Sequence, residues 1–280
     1  MLTANSRVLI IGAGWLGLPL AKAMAKLGCQ VHLTCTSAAK VESLKNEKLI
    51  AGVWPLLLDD NSQVHDIQKI IELSQADIVV GAFPPGFRKA NSGDYATKWQ
   101  LIAQACQVSK VKQLLMYSST AVYPEQASIC VESDALAFND KAAKLLQAEQ
   151  ALQNFKGSTL VLRLAGLYGP NRHPGRFVKH MKAVSQIANA NMIHLDDVIA
   201  ASLYLLQLQP QSSPSVCNLV YPNQVSKAQF YQAAIQAYPV ENMSFPPVDQ
   251  TLGKTVSCQL LQQLGYQFVY ADSLAAIQHC

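Results

Sequence analysis

A chain of 280 residues, half of them hydrophobic and 14% charged, is long enough to bury a large core and too apolar for the disordered class. Twenty-two basic against eighteen acidic residues give a formal charge of +4, with no run of like charge long enough to track nucleic acid. Seven scattered cysteines, at positions 29, 35, 106, 130, 217, 258 and 280 with no Cys-x-x-Cys pair, argue against a disulfide framework or zinc ligand set and for a reducing compartment.

The first element is a short apolar β run from Arg7, ending in Gly12, Gly14 and Gly17 at Gly-x-Gly-x-x-Gly spacing, with a helical run over 16–27 behind it. Gly12 permits the tight turn, Gly14 lets backbone approach a pyrophosphate, and Gly17 lets the helix press on the sheet. Trp15 and Leu16 complete the turn, whose free N–H groups and helix dipole favour phosphate. Arg7 and the apolar stretch up to Ala21-Lys22-Ala23 also have the outline of a secretory signal, but a signal core has no use for that glycine spacing. No other apolar stretch reaches the roughly 20 residues of a membrane span, so a soluble, cytoplasmic protein is expected.

A strand over 30–34, a helix over 38–46, an apolar run over 50–58 and a helix over 61–73 follow. Strands over 77–82, 112–118 and 159–165 then alternate with helices over 97–109 and 141–155. Mixed charges at helical spacing from Lys40 to Lys48 read as a solvated helix face. This alternation predicts an α/β chain with a Rossmann-type doubly wound parallel sheet over residues 1–168, covered on both faces. Residues 169–280 are less regular. A polar loop over 171–177, a helix over 196–208 that packs back on the sheet, a Pro/Ser linker over 210–215, a strand over 216–221 and helices over 226–237 and 257–264 predict a smaller C-terminal α/β substrate lobe.

Ligands of such sheets gather beyond the carboxyl ends of the strands. After the second strand stand Thr36 and Ser37, with Lys40 nearby and no acid before Glu42. An NAD site usually places a carboxylate there, about 20 residues after the glycine turn, whereas hydroxyls and a lysine suit a 2′-phosphate, so NADP is favoured over NAD. Asp59, after the third strand, meets either the adenine amino group or its own strand-end turn. Gly81 and Ala82 close the fourth strand, where small residues let backbone approach the cofactor; the alternative is a loop stiffened by Pro84 and Pro85. Arg88, Arg172 and Arg176 sit in polar loops, as phosphate or carboxylate ligands or as plain surface arginines.

Three further segments carry a resemblance: Met116-Tyr117-Ser118-Ser119-Thr120-Ala121-Val122-Tyr123-Pro124, Arg163-Leu164-Ala165-Gly166-Leu167-Tyr168-Gly169-Pro170 and Ile193-His194-Leu195-Asp196-Asp197-Val198. Taken alone, the first is a hydroxyl-rich turn. Ordered behind the glycine turn, the three resemble the extended short-chain dehydrogenase/reductase family, which includes nucleotide-sugar epimerases and dehydratases, over most of residues 7–221. The resemblance implies that Ser119 polarises and holds the reacting oxygen, with turn capping the competing account. Ser118 is expected at the cofactor, or with Thr120 satisfying backbone groups of the turn, and Tyr123, Tyr168 and the loop residues Arg172 and Arg176 at the substrate, while the resemblance makes His194 structural and Asp196 or Asp197 caps the next helix.

The family also uses a Tyr-x-x-x-Lys pair, in which the tyrosine moves a proton and the lysine lowers its pKa. Here no tyrosine stands between Tyr123 and Tyr168. Lys144 matches the lysine, with Lys141 its competitor, and Asp140 stands in place of the tyrosine, either as a carboxylate acceptor or as a helix N-cap with Asn139. Tyr95, Tyr123 and Tyr168 are other phenols on hand. The resemblance implies an NAD(P)-binding oxidoreductase or epimerase-like protein acting on a polar, phosphorylated or nucleotide-sugar-like small molecule, with no nucleic acid, membrane or metal partner and a homodimer left open. The missing tyrosine keeps a second reading alongside: a catalytically impaired NAD(P)-sensing or partner-binding protein.

Overall fold

The structure, a computed structural model, describes residues 1–45, 47, 49–59, 62–87, 94–209, 212–238 and 244–280. Asn46, Lys48, Asn61, Arg88, Pro210 and Gln211, which fall in the segments singled out above, lie outside the described residues. The chain forms two compact units.

The first unit comprises Met1–Ser118, Asn139–Leu162 and Ser202–Val216. Along the whole chain the elements begin β1 (Arg7–Ile11), α1 (Gly17–Lys26), β2 (Gln30–Cys35), α2 (Ala38–Lys45), β3 (Gly52–Pro55), α3 (Val64–Ser74), β4 (Ile78–Gly81), α4 (Tyr95–Gln107) and β5 (Gln113–Ser119). After a two-residue strand β6 (Ile129–Cys130) come α5 (Asp140–Ala151) and β7 (Ser158–Leu164). The remaining elements are β8 (Gly166–Tyr168), α6 (Gly175–Val178), β9 (Val184–Ser185), β10 (Met192–His194), α7 (Leu195–Gln207), β11 (Val216–Leu219), α8 (Lys227–Ala237), β12 (Val248–Asp249), β13 (Thr255–Val256) and α9 (Gln259–Gln263).

Seven strands form a parallel sheet in the order β11-β7-β5-β4-β1-β2-β3. β1 lies between β2 and β4, with Ile11 level with Thr34 on one side and Gly81 on the other. The strand order reverses at β1, the position beyond which dinucleotides bind. β4 and all of β1 beyond Arg7 are buried without alternation, because helices cover both faces of a parallel sheet. The helices were placed by apolar spacing: α3 buries Ile67, Ile70, Ile71 and Ser74 at i, i+3, i+4 and i+7, opens on a Gln63/Asp66 capping box, and ends on Gln75 at φ 48°.

The second unit comprises Ser119–Phe138, Arg163–Ala201 and Cys217–Cys280. Three two-stranded parallel pairs, β8 with β10, β9 with β12 and β6 with β13, hold segments far apart in sequence. These strands are two or three residues long, too short for a period to show. The polar loop expected over 171–177 holds the first residues of α6.

Each unit takes three separate stretches of the chain. The segments after β5 and β7 make their contacts within the second unit, while α5 and the end of α7 make theirs within the first. All seven cysteines are free, and only Cys280 is not buried. Among the described residues no helix is long and apolar enough to cross a membrane.

Candidate functional site

The carboxyl ends of three strands meet at the glycine turn of the first unit. Ala13 N–H donates to the Thr34 carbonyl at 2.8 Å, Gly12 N–H to Thr34 Oγ1 at 3.2 Å, and Ala82 N–H to the Ile11 carbonyl at 2.8 Å. Gly12 has φ +109°, and a Cβ there would lie 2.8 Å from the Ala82 carbonyl oxygen. At Gly17 a Cβ would collide with the Gly12 carbonyl oxygen. Gly14 is different: it is exposed, and an added Cβ would meet nothing within 4 Å. Trp15 and Leu16 are half-buried beside it, and Leu16, as N-cap of α1, supplies no side-chain bond to the first turn, which carries no acid. Uncapped N–H groups under an open glycine fit a pyrophosphate, which would take the bonds that a capping side chain takes elsewhere.

Thr36, Ser37 and Lys40 are exposed after β2, and Ser37 Oγ accepts Lys40 N–H at 3.3 Å. Asp59 is half-buried, and its N–H donates to Ser62 Oγ at 2.8 Å, closing a local turn. Gly81 is buried for a reason the sequence did not suggest: the Trp99 indole occupies the space a Cβ would need. Phe83 stacks on that indole at 5.2 Å, while Ala82 stays half-buried at the turn. Ser118 is buried and donates its hydroxyl to Glu149 Oε1 at 2.5 Å, so its partner is a carboxylate of α5. Asn139, rather than Asp140, caps α5 by accepting Ala142 N–H at 2.9 Å. Asp140 and Lys144 are both exposed on that helix.

In the second unit, Ser119 is half-buried and Oγ accepts Ala121 N–H at 3.1 Å, leaving its own O–H free to donate. It lines a cavity of about 290 Å³ together with Glu125, Asn191, Lys227, Tyr231 and Lys254. None of these five stands in a motif that sequence reading singles out; only the i, i+4 spacing of Lys227 and Tyr231 was there to be found.

The tyrosines expected at the substrate sit in the interior. Tyr123 is fully buried, donates to Asn218 Oδ1 at 2.7 Å and accepts from Arg163 Nη1 at 2.9 Å; burial pushes its phenol up to about 12. Tyr168 is also fully buried, donating to the Ser273 carbonyl at 2.7 Å, and burial raises its phenol further. Arg172 and Arg176 are exposed, the first over the Phe177 ring, the second over Tyr238 and bonded to its hydroxyl at 3.1 and 3.2 Å. His194 is fully buried, its Nδ1 accepting Asp196 N–H at 3.1 Å, and burial lowers its pKa against the opposing pull of Asp196. Asp197, expected as a helix cap, is instead a fully buried acceptor for Tyr221, Tyr266 and the Val269 N–H.

The chain is 30% identical to Protein YeeZ of Escherichia coli K12 over 275 residues, covering 96% of this chain and 97% of that one. Among solved structures it is similar to the Bordetella bronchiseptica enzyme WbmH in complex with NAD+, at TM-score 0.78 and 16% identity, covering 99% of this chain and 97% of that chain. UDP-glucuronic acid 4-epimerase from Bacillus cereus, in complex with NAD, gives TM-score 0.75 at 16% identity, with 97% and 96% covered. At these identities the two structures establish a shared fold. The model of the family described as NAD dependent epimerase/dehydratase matches residues 8–219, three quarters of the sequence, and the chain belongs to that family.

Proposed function

We propose that the chain binds a nicotinamide dinucleotide at the glycine turn and oxidises, reduces or epimerises a polar small molecule, phosphorylated or nucleotide-sugar-like, held at Ser119. The observation that carries this reading is the pairing of open Gly14 with the uncapped N-terminus of α1, a cradle shaped for backbone to meet pyrophosphate. When bound, the nicotinamide supplies or accepts the hydride. The backbone of Gly12 to Gly17 holds the phosphates, with Ala82 beside the turn. Thr36, Ser37 and Lys40, with no carboxylate at the end of β2, suit a ribose 2′-phosphate, which supports NADP over NAD. Ser119 donates a hydrogen bond to the reacting oxygen while Ala121 N–H fixes its Oγ. Family membership supports a working enzyme over a protein that only senses the nucleotide.

Thermal melting with NADP, NADPH, NAD and NADH in turn tests the reading. Ligand at 100 times its dissociation constant stabilises by about 2.7 kcal/mol, several degrees for a chain of this size. A rise with the phosphorylated pair above the other is the expected result, and no rise with any of the four would refute nucleotide binding.

A further inference from the structure

The cleft that Ser119 lines lies wholly within the second unit. One wall is the start of α8, where Lys227 and Tyr231 stand four residues apart and share one face of the helix. A Ser226/Gln229 capping box fixes the first turn of α8. Phe230, fully buried, packs edge-on against Tyr168 at 5.5 Å and Tyr231 at 5.2 Å, which sets the rotation of the helix.

The acceptors among the polar side chains of this cleft are engaged, and the donors are not. Asn191 Oδ1 accepts the Val256 N–H, and Glu125, the one acid, pairs with Lys254 Nζ at 2.8 Å. Ser119 Oγ accepts the Ala121 N–H and keeps its own O–H to give. Among the described residues neither the Tyr231 hydroxyl nor the Lys227 ammonium has a hydrogen-bond or ion-pair partner. Burial pushes the Tyr231 phenol up to about 12, so it holds its proton at neutral pH and can donate it to a hydrogen bond. Lys254, 8% exposed, donates to the Tyr123 carbonyl at 2.9 Å and to Glu125, with the third of its N–H bonds left over.

Two lysines against one glutamate leave the cleft with one positive charge in excess. Gly253 shows where it sits. A Cβ there would lie 3.7 Å from Lys227 Nζ and 3.6 Å from Glu125 Oε2, yet the carboxylate is drawn to Lys254 and makes no ion pair with Lys227. A single positive charge beside neutral donors is matched by a group with one negative charge and several lone pairs. A carboxylate is such a group, whereas a phosphate monoester brings closer to two charges at neutral pH. We propose that this cleft binds a small polar organic acid, a hydroxy or sugar acid, whose carboxylate is taken by Lys227 and Tyr231 alongside the part held at Ser119. The inference rests on the reading above only in giving Ser119 to the substrate, and it invokes neither the nucleotide nor a chemical step. Lys227 supplies the charge and Tyr231 a neutral hydrogen bond, while Lys254 keeps the Glu125 carboxylate from competing for Lys227.

The experiment is calorimetric titration of the nucleotide-free protein, at low ionic strength, with D-gluconate, D-glucitol and D-glucose 6-phosphate as probes. Wild type is expected to bind D-gluconate at least about tenfold more tightly than D-glucitol, and more tightly than D-glucose 6-phosphate. Lys227→Met should weaken D-gluconate by about tenfold or more with Tm near wild type, and Lys227→Arg should keep most of the affinity. Tyr231→Phe should cost about tenfold. Glu125→Gln, which removes the nearby acid, should tighten D-gluconate by about threefold. Equal affinity of wild type for D-gluconate and D-glucitol overturns the proposal, as does tighter binding of D-glucose 6-phosphate or unchanged D-gluconate binding in Lys227→Met. A Ser119→Ala protein that binds D-gluconate as wild type does strikes the reading of Ser119 instead, and the D-gluconate preference then still supports the Lys227 site. Should Lys227→Met not fold, Glu125→Gln decides, and weaker D-gluconate binding in that variant overturns the proposal.

Discussion

Tyr221 donates its hydroxyl to Asp197 at 2.5 Å, both side chains fully withdrawn from solvent. Tyr266 adds a second hydroxyl at 2.9 Å and Val269 its N–H at 2.7 Å, so one carboxylate ties β11's exit and the C-terminal segment to the start of α7. Burial and the adjoining carboxylate both raise the Tyr221 phenol, which therefore remains a donor at any ordinary pH. Removing the carboxylate takes the acceptor from the Tyr221 hydroxyl and the Val269 N–H, while Tyr266 keeps the Asp197 backbone carbonyl at 3.2 Å. Asp197→Ala should cost about 3 kcal/mol or more, and Tyr221→Phe, which leaves two of the three bonds, about 1.5–3 kcal/mol. Urea unfolding checks both, and equal losses for the two variants would show that the carboxylate is not the hub.

The glycine turn separates folding from binding at neighbouring positions. Gly14→Val meets open space and has no positive φ to oppose it, so its Tm should stay near wild type while the nucleotide-induced rise disappears. Gly17→Ala drives a Cβ into the Gly12 carbonyl and should destabilise by about 1–3 kcal/mol even without nucleotide. Melting each variant with and without nucleotide resolves the two effects. A Gly14→Val protein that still responds to nucleotide would remove the turn from the site.

Much of this was legible in the sequence because it repeats. The β-α alternation gave six of the seven sheet strands to within a few residues, and Gly12, Gly14 and Gly17 marked the switch point at which β1 meets β2 and β4; the strand expected over 216–221 in the C-terminal lobe is instead β11, an edge strand of that sheet. What stayed hidden depended on contacts between distant segments. Tyr123 and Tyr168 sit in motifs that point to a substrate, yet their hydroxyls close on Asn218 and Ser273, partners 95 and 105 residues away. Gly81 reads as a cofactor-facing glycine, but only the fold brings Trp99 against it. Lys227 and Tyr231 carry no local signal beyond helical spacing, and the cavity they share with Ser119 is lined by residues more than 100 positions apart in the sequence.

Ser119 tests the division of labour between holding nucleotide and holding substrate. Its Oγ accepts the Ala121 N–H, which alanine cannot do, but that bond closes only a single 3₁₀ turn, Thr120–Val122. Ser119→Ala should therefore leave nucleotide affinity within about twofold and lower kcat by about 10²–10³, the usual loss for one donor to a developing oxyanion. Calorimetric nucleotide titration and steady-state turnover of the same preparation check the pair of outcomes. Unchanged kcat would take Ser119 out of the chemistry.

Acid stability follows from three buried histidines. His32, His173 and His194 all have pKa values held below the ordinary 6.5 by burial, with Arg176 adding to the effect at His173. A lowered pKa in the folded state means that the unfolded chain takes up protons first as the pH falls. Above 6.5 both states hold neutral imidazoles and these groups leave stability unchanged; below it, stability declines until the folded-state pKa values are reached. His194 is the most enclosed of the three, at 0% exposure, and its Nδ1 is already an acceptor for the Asp196 N–H, so a proton there would break that bond. His194→Gln keeps an acceptor and removes the titration. The loss of Tm from about pH 7.5 to about pH 5.5 should be smaller in His194→Gln than in wild type, whatever the absolute cost of the substitution. An identical pH dependence in the two proteins would place the acid-sensitive protonation elsewhere.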